Sequence, residues 1–321
     1  MPANAPLAST TAPVHSRVMR SFLLALTLAI PAAAQAPPKP AEAVALSPAD
    51  IVASAPATAW RPIAPENLLL MDTPRGQMAI ELAPAFAPAH IAAIRAIVAA
   101  GRFSGGAITR VQDNYVIQWA ARPAPAGAPK PAPLPAEYER PAAGLAITPL
   151  GYPDTYAEPG FVGGWPVAQD RQTGTAWLAH CYAAVGVGRE DAPDTGDGSE
   201  LYAIIGQAPR MLDRNIALVG RIVAGLPAHA ALPRGTAELG FYATPAEHTP
   251  ITGARFASSL PAAQAPRYEV MDTASETFRR YIHARANRTG FFIRPAGAID
   301  LCNVNVPIRA TGNTPTIPPP R

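Results

Sequence analysis

The stretch Ile108-Thr109-Arg110-Val111-Gln112-Asp113-Asn114-Tyr115-Val116-Ile117-Gln118-Trp119 decides how this chain is read. β-Branched and aromatic residues dominate both of its ends, as in strands. Asp113-Asn114 between them is a turn signal, because both side chains bond nearby backbone and tolerate unusual φ. The stretch therefore predicts strand, tight turn, strand. Two polar side chains, Arg110 and Gln118, sit in this apolar frame. A guanidinium keeps its charge, so burying it unpaired is costly. Arg110 must either pair with an acid or face a cleft where a substrate uses it.

Working outward, residues 67–71 form a buried-strand candidate and residues 77–82 alternate and return, with the turn Thr73-Pro74-Arg75-Gly76 between them. That is a β-hairpin. Pro88 suits the first turn of a helix, Ile91, Ile94, Ile97 and Val98 give an apolar stripe at helical spacing, and Gly101 ends it. His90 on this helix has no metal-type ligand at i+4 and is expected to be solvated or a minor contact.

The central stretch resembles the signature of the cyclophilin peptidyl-prolyl isomerases: Phe-His-Arg, two apolar residues, Pro-Gly-Phe-Met, one residue, Gln-Gly-Gly. Arg110 stands at the catalytic arginine, Tyr115-Val116 at the Phe-Met pair and Gln118 at the glutamine. Thr109 replaces the usual His, Asp113-Asn114 the Pro-Gly and Trp119-Ala120 the Gly-Gly. Three further blocks follow in the family's order. Residues 176–182 are similar to its strand ending Met-Ala-Asn, with Tyr182 in place of a polar residue that contacts substrate backbone. Gly198-Ser199-Glu200-Leu201-Tyr202 resembles Gly-Ser-Gln-Phe-Phe, and Met211-Leu212-Asp213 with the strand at 216–225 resembles the Trp-Leu-Asp turn and its following strand.

The resemblance implies a mainly β fold: a closed antiparallel barrel with a helix at each end, over residues 65–310. Residues 121–175 read as an expanded loop, 233–298 as a C-terminal insertion decorating the barrel, and 299–307 as the closing strand. Within the insertion, residues 276–288 carry Phe278, Tyr281 and Ile282 at helical spacing, an amphipathic helix expected to pack on the barrel. A partner-binding or membrane-surface helix is the sharper alternative.

It also implies the chemistry. Rotation about a peptide bond faces a barrier of roughly 18–20 kcal/mol set by amide resonance. Breaking that resonance at X-Pro requires an apolar socket for the ring and a donor aimed at the prolyl nitrogen, with no cofactor or metal. By resemblance Arg110 is the donor, and Gln118, catalytic with it, positions Arg110 or bonds the substrate carbonyl. Tyr115, Val116, Tyr202 and Leu212 form the socket, with Met211 at the rim. Glu200 stands where the family has Gln. Strand alternation puts it on the face of Tyr202, and a direct Arg110–Glu200 ion pair is expected to divert the donor. Two functions follow: an isomerase assisting the folding of exported proteins, or a weakly active or inactive binding module and chaperone for proline-containing segments. Thr109, Glu200 and Tyr182 favour the second, Arg110 and Gln118 the first.

Compartment is read from the ends. Met19-Arg20, the apolar run at 21–30 and the small residues at 32–36 read as a secretory signal peptide within a leader at 1–36. The run is half of the ~20 apolar residues a membrane span requires. A periplasmic or secreted protein without a stable span after signal removal is expected. Residues 37–64 read as a Pro/Ala-rich linker and 311–321 as a Pro-rich tail. In an oxidising compartment Cys181 and Cys302 are either a disulfide or two buried small hydrophobes. Without the leader the chain has 24 basic and 23 acidic residues, near balance, and no Lys/Arg cluster to follow a phosphate backbone, so nucleic acid is not expected as a partner. X-Pro segments of unfolded or exported proteins are the expected partners, and a monomer the expected state.

Two tempting motifs carry nothing. His180 and Cys181 are adjacent in a strand pattern and so face opposite sides. Asp194-Thr195-Gly196 lacks the flanking apolar run of an aspartic protease, and the acids at 191, 194 and 197 miss calcium-loop spacing.

Overall fold

The computed structural model describes residues 46–129 and 132–312. The signal-peptide expectation, the first part of the linker and residues 313–321 of the tail lie outside them.

Nine antiparallel strands make the principal sheet. Its order is Thr249–Pro250, Ala107–Val111, Val116–Ala120, Glu200–Ile204, Ala184–Val187, Leu218–Ala224, Gly76–Leu82, Leu68–Thr73 and Gly253–Phe256. The two edge strands are separated in sequence only by Ile251 and Thr252. The sheet therefore curls until both edges meet one stretch of chain, 249–256. It is a curled half-barrel joined through that stretch, without a continuous hydrogen-bonded ladder between the edges. Inside the curl lie Leu69, Met78, Ile80, Phe103, Trp119 and Val219, with Ile91, Ile94 and Ile97 of the helix Pro88–Ala99 and Leu226 of the short helix Leu226–Ala230. Burying each large aliphatic contributes about 1.5–3 kcal/mol, so this interior holds the fold.

Three expectations require correction. The closing strand is 249–256, inside what the sequence suggested was decoration, while 299–307 contains the single turn Leu301–Asn303. The stretch 249–256 can close the curl because Ile251 reaches the interior and is fully buried.

The second correction concerns the linker. Its residues from 46 onward are ordered: Ser47 caps the helix Pro48–Ala53, and the strand Trp60–Pro62 pairs with Arg267–Met271. Arg61 reaches across to Glu81 of the barrel at 3.0 Å. Glu81 in turn holds the buried Arg221 through Nε and Nη2 at 3.0 and 2.7 Å.

Third, the expanded loop carries its own five-stranded sheet, ordered Arg140–Pro141, Thr175–Leu178, Trp165–Asp170, Glu158–Val162 and Thr148–Pro149. The predicted amphipathic helix is present as Glu276–Ala286. Its buried face of Phe278, Tyr281 and Ile282 packs in a second core with Ile51, Trp60 and Phe161 rather than in the barrel interior. Cys181 and Cys302 are bridged at 2.06 Å within that second core.

Candidate functional site

Arg110 and Gln118 face each other on adjacent strands. The register shifts between Ile108 and Arg110, so Thr109 is the extra residue of a β-bulge. Without a bulge, Ile108 and Arg110 would point to the same side. With it, Ile108 is buried opposite Trp119 in the interior, and Arg110 turns outward beside Gln118.

The tight turn forms as expected, with Asn114 at φ 50°. Asn114 Oδ1 accepts the backbone N–H of Gln207 at 2.9 Å. Gly206 must be glycine here: a Cβ would lie 2.1 Å from the Asn114 carbonyl carbon.

The Arg110 guanidinium is held in place by its own chain. Nε donates to the Leu239 carbonyl at 2.7 Å, Nη1 to Gln118 Oε1 at 2.9 Å, and Nη2 to Gln112 Oε1. The Tyr115 and Phe241 rings stack over it at 5.7 and 5.1 Å. Leu239 and Phe241 belong to the segment 235–242, which runs along the Arg110 strand: Tyr242 N–H donates to the Thr109 carbonyl and Gly235 N–H to the Val111 carbonyl. Burial lowers the Arg110 pKa from its ordinary value, while Tyr115 and Glu200 oppose that shift. A guanidinium so shifted stays charged at neutral pH.

The expected direct Arg110–Glu200 pair is absent. The strand Glu200–Ile204 pairs with Val116–Ala120, which separates it from the Arg110 strand. Glu200 instead accepts Gln118 Nε2 at 2.5 Å. The three residues form a relay, Arg110 to Gln118 to Glu200. Glu200 fixes which end of the Gln118 amide faces Arg110.

Tyr115, Val116 and Tyr202 meet in one apolar cluster with Phe86, Leu178 and Ile204. Val116 and Tyr202 are 2% and 5% exposed. The hydroxyl end of the Tyr202 ring packs on Gly186, where a Cβ would come within 2.3 Å of it. Met211 is 69% exposed and lines a different cavity, with Trp177, Asp213 and Arg214. Leu212 is half-buried on the same turn, Arg210–Leu212. The structure thus gathers Arg110, Gln118, Glu200, Tyr115, Val116 and Tyr202, and sets Met211 on a neighbouring surface.

Sequence reasoning missed what holds Tyr202. Its hydroxyl meets His180 Nε2 at 2.9 Å, and His180 Nδ1 meets Asp213 Oδ1 at 2.9 Å. Asp213 also accepts Arg210 Nε at 2.7 Å, and Arg210 reaches Asp154 at 3.2 Å. Burial works against the Asp213 charge, but the hydrogen bond from His180 and the Arg210 guanidinium outweigh it, and its carboxyl sits below the ordinary value. A tyrosine where the family has Phe requires a hydroxyl partner, and a buried His in the preceding strand block was the available signal. His90 is likewise buried, on Glu137 at 2.7 Å and the Thr195 carbonyl at 3.1 Å, not solvated.

The chain is thus a curled antiparallel half-barrel with an Arg–Gln pair and an apolar cluster on its outer face. The family described as cyclophilin type peptidyl-prolyl cis-trans isomerase/CLD matches residues 68–255, about 59% of the chain, and the chain belongs to it. Family and fold make it a peptidyl-prolyl cis-trans isomerase. Among solved structures it is similar to the cyclophilin AquaCyp293 from Hirschia baltica, at 24% identity and TM-score 0.63, over 79% of this chain and 95% of that one. A cyclophilin type isomerase from Cryptosporidium parvum, solved with the dipeptide Ala-Pro, matches at 12% identity and TM-score 0.38, over 59% of this chain and 98% of that one. The first likeness extends to the fold alone. No curated protein matches the chain.

Proposed function

We propose that this chain isomerises X-Pro bonds in exported proteins, with Arg110 donating to the prolyl nitrogen as it becomes pyramidal. The observation that carries this reading is the Arg110–Gln118 pair, turned outward by the bulge and standing beside the Tyr115–Val116–Tyr202 cluster. A guanidinium has five N–H donors. Three are engaged by the described residues, which leaves two to reach a substrate. A fixed donor of this kind needs no reorganisation as the lone pair develops. Tyr115, Val116 and Tyr202 then receive the ring, and Gln118 holds Arg110 or meets the substrate carbonyl. The Cys181–Cys302 disulfide supports a periplasmic or secreted location.

The test is isomerisation of a short X-Pro peptide, with cyclosporin as competitor. Arg110→Ala is expected to remove most of kcat/KM. An unchanged rate would overturn the assignment. The engagement of three Arg110 donors and the depth of Tyr202 favour a second reading, a binding module or chaperone with little catalysis. It predicts that the peptide binds while its exchange rate stays at background.

A further inference from the structure

Beyond the helix Glu276–Ala286 the chain turns outward at Phe291-Phe292-Ile293. Phe291 is 91% exposed and Ile293 95%. Large apolar side chains exposed side by side mark an interaction site. They cannot be the apolar face of the helix, because Phe278, Tyr281 and Ile282 are already buried in the second core.

Charge surrounds this tip. Residues 276–297 contain five arginines and one glutamate, a net +4, while the whole chain nets +3. The rest of the chain is therefore slightly acidic, and its entire positive excess lies here. Glu276 is paired with Arg279. Arg280 and Arg294 are exposed and make no ion pair among the described residues. Arg288 stacks on Phe292 at 5.2 Å, which leaves its charge beside the tip. Arg279, Arg280, His283 and Arg288 also line a groove of about 670 Å³ that ends on Phe292.

We propose that this face docks on an anionic lipid bilayer, with Phe291 and Ile293 inserted at the interface and the arginines on lipid phosphates. Exposed aromatic and aliphatic side chains flanked by arginine fit that surface: the rings settle at headgroup depth and the cations meet anionic lipid. Among the described residues no helix is long and apolar enough to cross a membrane, so attachment here is peripheral. It would hold an isomerase where exported chains emerge. The docking face and the Arg110 site share no residue, so binding and catalysis are tested separately.

The experiment sediments the full-length chain with vesicles of phosphatidylcholine, and of phosphatidylcholine mixed with phosphatidylglycerol. Residues 21–30 carry an apolar run of their own, so binding is scored as the difference between the chain and its variants. Each arginine near an anionic surface contributes about five-fold in partitioning. Arg280→Gln with Arg294→Gln is expected to lower binding to the anionic vesicles by about 25-fold, and Phe291→Ser with Ile293→Ser by at least as much. Isomerase activity of the variants should be unchanged, which confirms that they fold. Equal binding to both vesicle types, or binding that neither double variant weakens, overturns the proposal. Loss with the serine pair alone also overturns it and points to an apolar protein partner.

Discussion

Glu200→Gln separates the relay seen in the structure from the direct ion pair that the sequence suggested. If Glu200 held Arg110 directly, neutralising it would return a charge-assisted hydrogen bond worth about 1.5–3 kcal/mol to the substrate, and kcat/KM would rise roughly ten- to a hundred-fold. In the structure Glu200 touches Gln118 Nε2, while Arg110 holds Gln118 Oε1, Gln112 Oε1 and the Leu239 carbonyl. A glutamine at 200 can accept the same Gln118 N–H through its own Oε1. The bond loses its charge assistance, which about halves its strength, a change of about 1 kcal/mol that acts on Arg110 only through Gln118. The expected change in kcat/KM is therefore under about five-fold in either direction. Glu200→Leu removes the acceptor altogether. The Gln118 amide is then free to turn its NH₂ toward Arg110, donor against donor, and the rate should fall. Isomer exchange of an X-Pro peptide measures both variants, with thermal melting as the check on folding. A ten-fold or larger rise in Glu200→Gln would refute the relay and restore the direct pair.

Tyr202→Phe leaves His180 Nε2 buried without its partner, which should cost about 1–3 kcal/mol of stability in urea unfolding. The pair His180→Met with Tyr202→Phe should lose less than the sum of the single changes, because no polar group is then orphaned at that contact. Burial first, then Tyr115 and Asp213, raise the Tyr202 pKa well above its ordinary value. From about pH 10 upward the unfolded chain ionises this phenol while the folded chain keeps it neutral, so the stability it contributes is present below pH 10 and lost above it. Urea midpoints at neutral and strongly alkaline pH should show that loss, and Tyr202→Phe should lessen it. The Cys181–Cys302 bridge closes a loop with a sequence separation of 121. Replacing both cysteines by serine should cost about 5 kcal/mol on the chain-entropy account. Two thiols alkylated without reductant in the denatured wild-type chain would contradict the bridge.

The legible parts of the fold were those in which the pattern is local. The hairpin Leu68–Thr73 with Gly76–Leu82, the helix after Pro88 and the turn at Asp113-Asn114 each declare themselves within a dozen residues. The Thr109 bulge does not. A single extra residue reverses which side Arg110 faces, and no residue type at that position announces it. Closure of the sheet was misplaced for a related reason. The edge strand Gly253–Phe256 is short and half-buried, and it pairs with residues about 180 positions earlier. Nothing within four residues reports a partner so remote. The linker was misread because Pro/Ala-rich composition describes what a segment could do alone. Trp60, Ile51 and Arg61 are ordered by groups elsewhere in the chain, Glu81 among them.

The Arg110–Glu200 misreading shows where alternation stops being enough. Alternation fixed the face of Glu200 correctly: its neighbour on the same face is Tyr202, opposite Gln118. A shared face says nothing about how many strands lie between two residues on it. Adjacent strands are about 4.8 Å apart, so one intervening strand puts two side chains near 10 Å at their roots. At that separation a third side chain fills the gap, and here it is Gln118, long enough to touch both. The consequence reaches function. A carboxylate in direct contact would occupy the donors of Arg110, whereas one acting through an amide fixes the amide and leaves two N–H bonds of the guanidinium unengaged among the described residues, as the proposed donation requires. The substitution that looked most damaging to catalysis is, in this strand order, compatible with it.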